Sequence, residues 1–401
     1  MKLGIIIPDG AADVPIAALG GKTPLEAANT PHLDRAAAMG RQGTVRTTPK
    51  GFQTGSDVCS MSLLGYDPAQ YHTGRAPIEA AASGFAGAPG DVICRMNLVT
   101  IEDGVLKDHS AAGIDTSAAR ELFAAVEQAW RDADLFDGCE ILPGVEYRCS
   151  LVDSSGTDYA GVHTTPPHEI LDTPAAPHLP RGGPAAERLN AFMRVAEERL
   201  SSHPMNASRV GDGKLPATHV WIWGQGVYPQ LPSFEERFGL RGAMTTAVDL
   251  LAGIASIIGW DRLDVPGLSG WHDNDYAGQG NASAAAIDRF DIVCCHVESP
   301  DEAAHRADPV TKTAAIESID RHCVGPMLDR LMCEESWRLL VVPDHYTLCG
   351  TRMHDPTSPP FLIAGSGVEA DESVRFTETH AEAGGPHILH GHELISTVLV
   401  G

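Results

Sequence analysis

The chain predicts an α/β fold: a mainly parallel sheet covered by helices on both faces, with a smaller α+β domain inserted. Short apolar runs rich in β-branched residues alternate with segments whose apolar positions fall at helical spacing. That is the pattern of strands joined by crossover helices. The runs are apolar throughout rather than alternating, as in strands buried on both faces. At 401 residues the chain is long for one core, and its middle third changes character. The expected organisation is a discontinuous core from residues 1–90 and 217–401 around an inserted domain at 91–216.

Taken in order, Lys2 to Pro8 reads as the first strand, ending on the turn dipeptide Asp9-Gly10. Thr23-Pro24 and Thr30-Pro31 each open a helix, with Thr as N-cap and Pro in the first turn. Gly43 to Thr47 is a strand. Gly55-Ser56-Asp57 opens a helix that stops at Gly65. Ala86 to Gly90 reads as a linker, and Asp91 to Glu102 as a strand turning at Asp103-Gly104. A helix over Thr116 to Ala133, a strand over Glu146 to Val152 and a loop over Pro166 to Pro184 follow. Ala185 to Ser201 is a helix whose Leu189, Phe192, Met193, Ala196 and Leu200 face a core. The polar stretch His203 to Pro216 closes the insertion. The buried-strand pattern resumes at Ala217 to Gly224, then comes a helix over Thr246 to Ile258 and a strand over Asp291 to His296. A long helix over Val310 to Leu331 and strands over Trp337 to Pro343 and Pro360 to Ala364 complete the core.

A net charge of −24 argues against duplex nucleic acid or an anionic membrane as partner, because both need a basic surface. It leaves room for a small anionic substrate, since one Arg or metal ion inverts the field locally. No apolar run is long enough for a signal peptide core or a membrane helix. The nine cysteines show no C-x-x-C spacing, and Cys294-Cys295 lies in an apolar run. Reduced thiols in a cytoplasm are the expectation. Oligomeric state is left open.

The strand ends carry the chemistry. After the strand at Asp291 to His296, Pro300 suits the first turn of a helix, which places Asp301 and His305 at i and i+4 on one face. A carboxylate and an imidazole one turn apart can share a cation. The strand over Trp337 to Pro343 ends on Asp344-His345, and His354 follows. With Asp9 and Ser56 these make seven candidate ligands, all oxygen or nitrogen: Asp9, Ser56, Asp301, His305, Asp344, His345 and His354. Seven is too many for one catalytic cation and suits two, Mn²⁺ or Zn²⁺ before a thiophilic metal. Two cations can clamp an in-line phosphoryl transfer, and a bound Ser hydroxyl is a ready nucleophile.

At this point the chain resembles the cofactor-independent phosphoglycerate mutases of the alkaline phosphatase superfamily, in particular their archaeal-type branch. The resemblance runs through Pro8-Asp9-Gly10, the stretch Thr23 to Pro31, Gly55-Ser56-Asp57, Ser62 to Pro68, Thr73-Gly74-Arg75, Trp223 to Gly226, His296-Val297-Glu298, Pro300-Asp301-Glu302 and Pro343-Asp344-His345. It implies an alkaline-phosphatase-like sheet with an inserted cap, and a phosphoserine intermediate on Ser56. It implies that Asp9, Ser56, Asp344 and His345 hold one divalent ion, and Asp301, His305 and His354 the other. Mn²⁺ is the foremost candidate, with Zn²⁺, Co²⁺ and Mg²⁺ as alternatives. The implied partner is a small phosphorylated three-carbon acid, with Arg75, Arg95, Arg148 and Arg241 as candidate contacts, the match being firmest at Arg75. Cys59-Ser60-Met61, Ser299 and the run Trp271 to Tyr276 depart from the pattern without removing a ligand.

Rival readings are a homoserine-kinase-like phosphotransferase of the same branch, a phosphomonoesterase, and a non-catalytic metal-binding protein. The complete ligand set speaks against the last. His387, His390 and His392 read as loop histidines without a metal, Asp57 as a helix-start acid, and Lys312 as a solvated helix residue.

Overall fold

A computed structural model describes residues 1–400. They divide into two compact units, Met1–His72 with the stretch from Leu231 onward, and Thr73–Gln230. The divisions fall outside those expected at 90/91 and 216/217, and hydrogen bonding gives the reason. Strand His219–Val227, expected to resume the core, pairs antiparallel with Val92–Glu102 and so belongs to the inserted unit, as does helix Arg75–Ala82.

The larger unit holds an eight-stranded sheet. Its strands lie in the order His387–Ile388, Gly40–Val45, Pro360–Gly365, Trp337–Val341, Lys2–Pro8, Ile292–Val297, Gly242–Thr245 and Asp261–Arg262. Pro360–Gly365 runs antiparallel to both neighbours, and the other pairings are parallel. Lys2–Pro8 is central, with Ile6 opposite Cys295 on one side and Val341 on the other. Residues Leu3 to Pro8 are all buried, so both faces of this strand are covered. Helix Gly325–Leu331 crosses closely at Gly4, where a Cβ would sit 2.8 Å from Met327 Cγ. The parallel strands all aim their carboxyl ends at one edge, where open α/β sheets bind ligands.

The expected single helix over 310–331 is three pieces: Pro309–Ile319, a π-helical turn at Asp320–Val324, and Gly325–Leu331. Pro326 has no N–H to continue the ladder, so the preceding turn widens. The widened turn presents Asp320, whose carboxylate accepts from the amides of His32 and Leu33 at 3.2 and 2.7 Å. Thr30, the expected N-cap of Pro31–Ala37, makes no capping bond, and Asp320 serves in its place.

The smaller unit is a five-stranded sheet of Val105–Asp108, Val92–Glu102, Arg148–Asp153, Cys139–Pro143 and His219–Val227. Helices Thr116–Asp132 and Gly183–Ser201 build its core. There the Trp130 indole packs on Phe192 with ring centroids 4.7 Å apart and donates to the Phe192 carbonyl. The loop expected at 166–184 contains only two short 3₁₀ turns before the second helix begins. Among the described residues, no helix is long and apolar enough to cross a membrane.

One buried acid gives the larger unit a pH signature. Glu378 accepts from Asp13 N and Thr23 Oγ1, and burial pushes its carboxyl up to about 7. The folded state therefore holds a proton that the unfolded state releases near 4.5, so this group's stabilising contribution is present at low pH and lost as pH rises through 7. Glu378→Gln should flatten the fall in stability between pH 5 and 8, an effect on the order of 2 kcal/mol. Thermal unfolding of both proteins across that range checks it; parallel curves would remove Glu378 as the cause.

Candidate metal and phosphoryl-transfer centre

Every expected ligand lies at the carboxyl edge of the large sheet. Asp9 follows the central strand, and its neighbour Gly10 explains why the turn is Asp-Gly. Gly10 has φ +57°, and a Cβ there would meet Thr347 Oγ1 at 2.5 Å and Asp301 Oδ1 at 2.6 Å. Helix Ser299–His305 follows the next strand, with Pro300 in its first turn and Asp301 and His305 one turn apart. Asp344 and His345 follow Trp337–Val341, and His354 comes from the short hairpin Tyr346–Leu348 with Met353–Asp355.

The distances join these side chains into one cluster. His345 Nε2 lies 3.3 Å from Asp344 Oδ2, 3.7 Å from Asp9 Oδ1 and 3.3 Å from Ser56 Oγ. Asp301 reaches His305 Nε2 at 3.1 Å and His354 Nε2 at 3.4 Å through its two oxygens. The rings of His345 and His354 have centroids 4.1 Å apart. Ser56 stands at the first turn of helix Ser56–Leu63, half-buried, after an extended Gly55.

Hydrogen bonding sorts the histidines by tautomer. His305 Nδ1 faces the Arg352 carbonyl at 2.9 Å and His354 Nδ1 the Thr54 carbonyl at 3.1 Å. A carbonyl only accepts, so both rings place N–H there. His305 Nε2 and His354 Nε2 then meet 3.0 Å apart, too close for both to carry protons. Thr347 Oγ1 donates to Asp301 Oδ1 and so accepts from His345 Nδ1. All three histidines thus turn Nε2 inward with the other ring nitrogen fixed by a hydrogen bond, as metal-ligating imidazoles usually do.

His296 is the opposite case. A carboxylate only accepts, so Asp9 Oδ2 fixes a proton on His296 Nε2 and leaves Nδ1 facing the Thr246 hydroxyl at 2.9 Å. His296 Nε2–H then donates to Asp9 Oδ2 at 2.8 Å. His296 is fully buried and orients Asp9 rather than offering a lone pair. Within the grouping of Asp9, His296 and Glu298 it therefore serves as a support for Asp9. Sequence reasoning gave His296 no role; the available signal was an imidazole ending an otherwise apolar run.

The electrostatics fit cations. Asp9 Oδ1 and Asp344 Oδ2 are buried without a hydrogen-bond partner. Burial, then Asp344 and Asp301, raise the Asp9 carboxyl well above its ordinary range. Glu298 is pushed up to about 10 by burial and by Asp9. Burial also opposes the Asp301 charge, but its contacts with His305 and His354 outweigh that and hold it low. Three carboxylates crowded around orphaned oxygens, with imidazole lone pairs and no thiolate, suit a hard or borderline divalent ion. Two further groupings, Asp301 with His305 and His354, and Asp9 with Asp301 and His345, have ligand atoms near enough to share one.

The arginines fare differently. Arg241 precedes the Gly242–Thr245 strand and donates to the Arg289 carbonyl, so it sits at the amino edge of the sheet, opposite the ligands. The expectation overlooked that a residue entering a parallel strand faces away from the carboxyl edge. Arg75 begins its helix. Arg95 forms a two-pronged ion pair with Glu79 and lies over the Trp223 ring, and Arg148 is exposed beside Tyr147. Asp57, read as a helix-start acid, accepts from or shares a proton with His72 at 2.8 Å. The two departures at Ser299 and Tyr276 answer each other: the phenol donates to the serine at 2.7 Å.

A protein of this name in Methanothrix thermoacetophila, 2,3-bisphosphoglycerate-independent phosphoglycerate mutase, is 42% identical over 402 residues, covering all of both chains. The chain belongs to the 2,3-bisphosphoglycerate-independent phosphoglycerate mutase family. The family model itself matches residues 37–206. The Methanothermobacter thermautotrophicus mutase of the same name is 39% identical, covering all of this chain and 97% of its own. Among solved structures, the Thermoplasma acidophilum cofactor-independent phosphoglycerate mutase superposes with a TM-score of 0.74 at 27% identity, covering 100% and 99%. A Pyrococcus horikoshii protein superposes at 0.81 with 28% identity, covering 99% and 96%. The family is one of isomerases.

Proposed function

We propose that the chain is a metal-dependent phosphoglycerate mutase, interconverting 2- and 3-phosphoglycerate through a phosphoserine at Ser56 without 2,3-bisphosphoglycerate. The observation that carries this reading is the Ser56 hydroxyl, 3.3 Å from His345 Nε2 inside a carboxylate and imidazole cluster, in a chain of this family. Asp9, Ser56, Asp344 and His345 would hold one ion, and Asp301, His305 and His354 the other, Mn²⁺ being the best match to the donors. The bound ions supply positive charge that lowers the Ser56 hydroxyl pKa and offsets charge on the transferring group.

Ser56 Oγ gives up its proton and attacks phosphorus, the ester P–O bond breaks, and the leaving glycerate oxygen takes up one proton in exchange. The neighbouring glycerate hydroxyl then attacks the phosphoserine and restores Ser56, so no water is consumed. His296 keeps Asp9 aimed, and Thr347 keeps His345 and Asp301 in register. Arg75, Arg95 and Arg148 stay as candidates for the anionic end of the substrate, in a cytoplasmic enzyme.

The test is the purified protein loaded with Mn²⁺, assayed with 3-phosphoglycerate and separately with ATP and homoserine. Equilibration of the two phosphoglycerates is expected. Phosphohomoserine without mutase turnover would replace this reading with the kinase one, and release of inorganic phosphate alone with hydrolysis.

A further inference from the structure

Lys312 was expected in solvent and is instead fully buried. Its ammonium spends all three protons: on Asp13 Oδ2 at 3.0 Å, on the Ala12 carbonyl at 3.2 Å and on the Thr347 carbonyl at 2.7 Å. Those acceptors sit on two separate segments, the turn at Ala12–Asp13 and the strand Tyr346–Leu348. Ala12 and Asp13 close the turn that carries Asp9, and Thr347 follows His345. The Asp13 carboxylate also accepts from the Cys349 amide at 3.1 Å, and the Thr347 amide donates to the Ala12 carbonyl. A backbone bridge between Ala11 and Tyr346 completes the junction.

We propose that the Lys312–Asp13 pair is a positioning device for the metal centre, fixing the Asp9 loop to the Asp344–His345 loop from beneath. The link to the ligands is short. Thr347 gives its carbonyl to Lys312 and its hydroxyl to His345 and Asp301. The lysine stands on helix Pro309–Ile319, which carries no ligand and is capped by Asp308. A buried ion pair contributes little net stability over an apolar pair of the same size. What it adds is geometry, because an apolar side chain cannot hold two carbonyls and a carboxylate about 3 Å from one atom. Lys312 touches no ligand and acts through Thr347 and Asp13.

This rests on the metal-centre reading, and the experiment separates the two. Mn²⁺ is titrated calorimetrically into the wild type, Lys312→Met and Met327→Ala, the last a core change beside Gly4 that touches no ligand. A wild type that takes up no Mn²⁺ overturns the metal centre itself. With Mn²⁺ bound by the wild type, Lys312→Met should bind it ~10-fold or more weakly, whereas Met327→Ala should lower the melting temperature and leave Mn²⁺ affinity within about twofold. Equal affinity in Lys312→Met, or equal weakening in both, overturns the positioning role. Should Lys312→Met not fold, the uncharged pair Asp13→Asn/Lys312→Met is titrated in its place. Hydrogen exchange on the wild type gives an answer that needs no variant: Mn²⁺ should slow exchange across Pro309–Ile319. Unchanged exchange there overturns the proposal.

Discussion

Ser56→Ala should lower interconversion of the phosphoglycerates by ~10⁴-fold or more, about 5.5 kcal/mol of barrier. The change deletes one oxygen from the cluster and leaves six of the seven ligands in place. Metal content should therefore change little, and thermal stability should stay within about 1 kcal/mol of the wild type, because the side chain is half-buried and caps no amide. Steady-state rates and metal analysis on the same preparation check both halves. Acid-quenched wild type incubated with substrate should carry a phosphoryl group on the peptide containing Ser56, and the variant none. A variant that retains turnover would move the nucleophile elsewhere.

Asp301→Ala should be the second severe change. Asp301 touches His305, His354 and Thr347, and Thr347 passes its position on to His345. Removing it takes away a ligand and leaves imidazoles with no anion between them. Metal stoichiometry should fall by one ion, and turnover by ~10³-fold or more. Excess Mn²⁺ should recover only a small part of the rate. Full recovery at high Mn²⁺ would mean that Asp301 tunes affinity without being needed for geometry.

That the candidate residues would come together was legible because most of them follow strand ends, and strand ends announce themselves. An apolar run that stops on Asp9, or on Asp344-His345, breaks its own pattern, and the break is visible without coordinates. Asp301 and His305 were readable because Pro300 fixes the helix phase. Other features were hidden for physical reasons. The role of His296 depends on which ring nitrogen faces the Asp9 carboxylate, a matter of tautomer that spacing does not encode. Lys312 looked solvated because nothing near it in sequence is its partner; Asp13 lies about 300 residues away. Strand His219–Val227 reads as buried wherever it goes, so composition could not tell which sheet would accept it. Arg241 has a suitable side chain for an anion, but its place just before a parallel strand puts it at the amino edge of the sheet. Strand Cys139–Pro143 escaped notice because its half-exposed pattern and the Pro143-Gly144 ending look like a turn.

The central strand has a consequence for biosynthesis. Lys2–Pro8 lies far upstream of its two neighbours in the sheet, which begin about 290 and 335 residues later. For most of translation its apolar hexapeptide Leu3–Pro8 has no β partner on either edge, which is the condition that invites wrong pairing. The sheet can close only when the last third of the chain arrives, and the Asp9 turn is set only then. Refolding from denaturant should show the same order, with the amides of Ile5 to Ile7 gaining protection in the final kinetic phase, after those of the inserted unit.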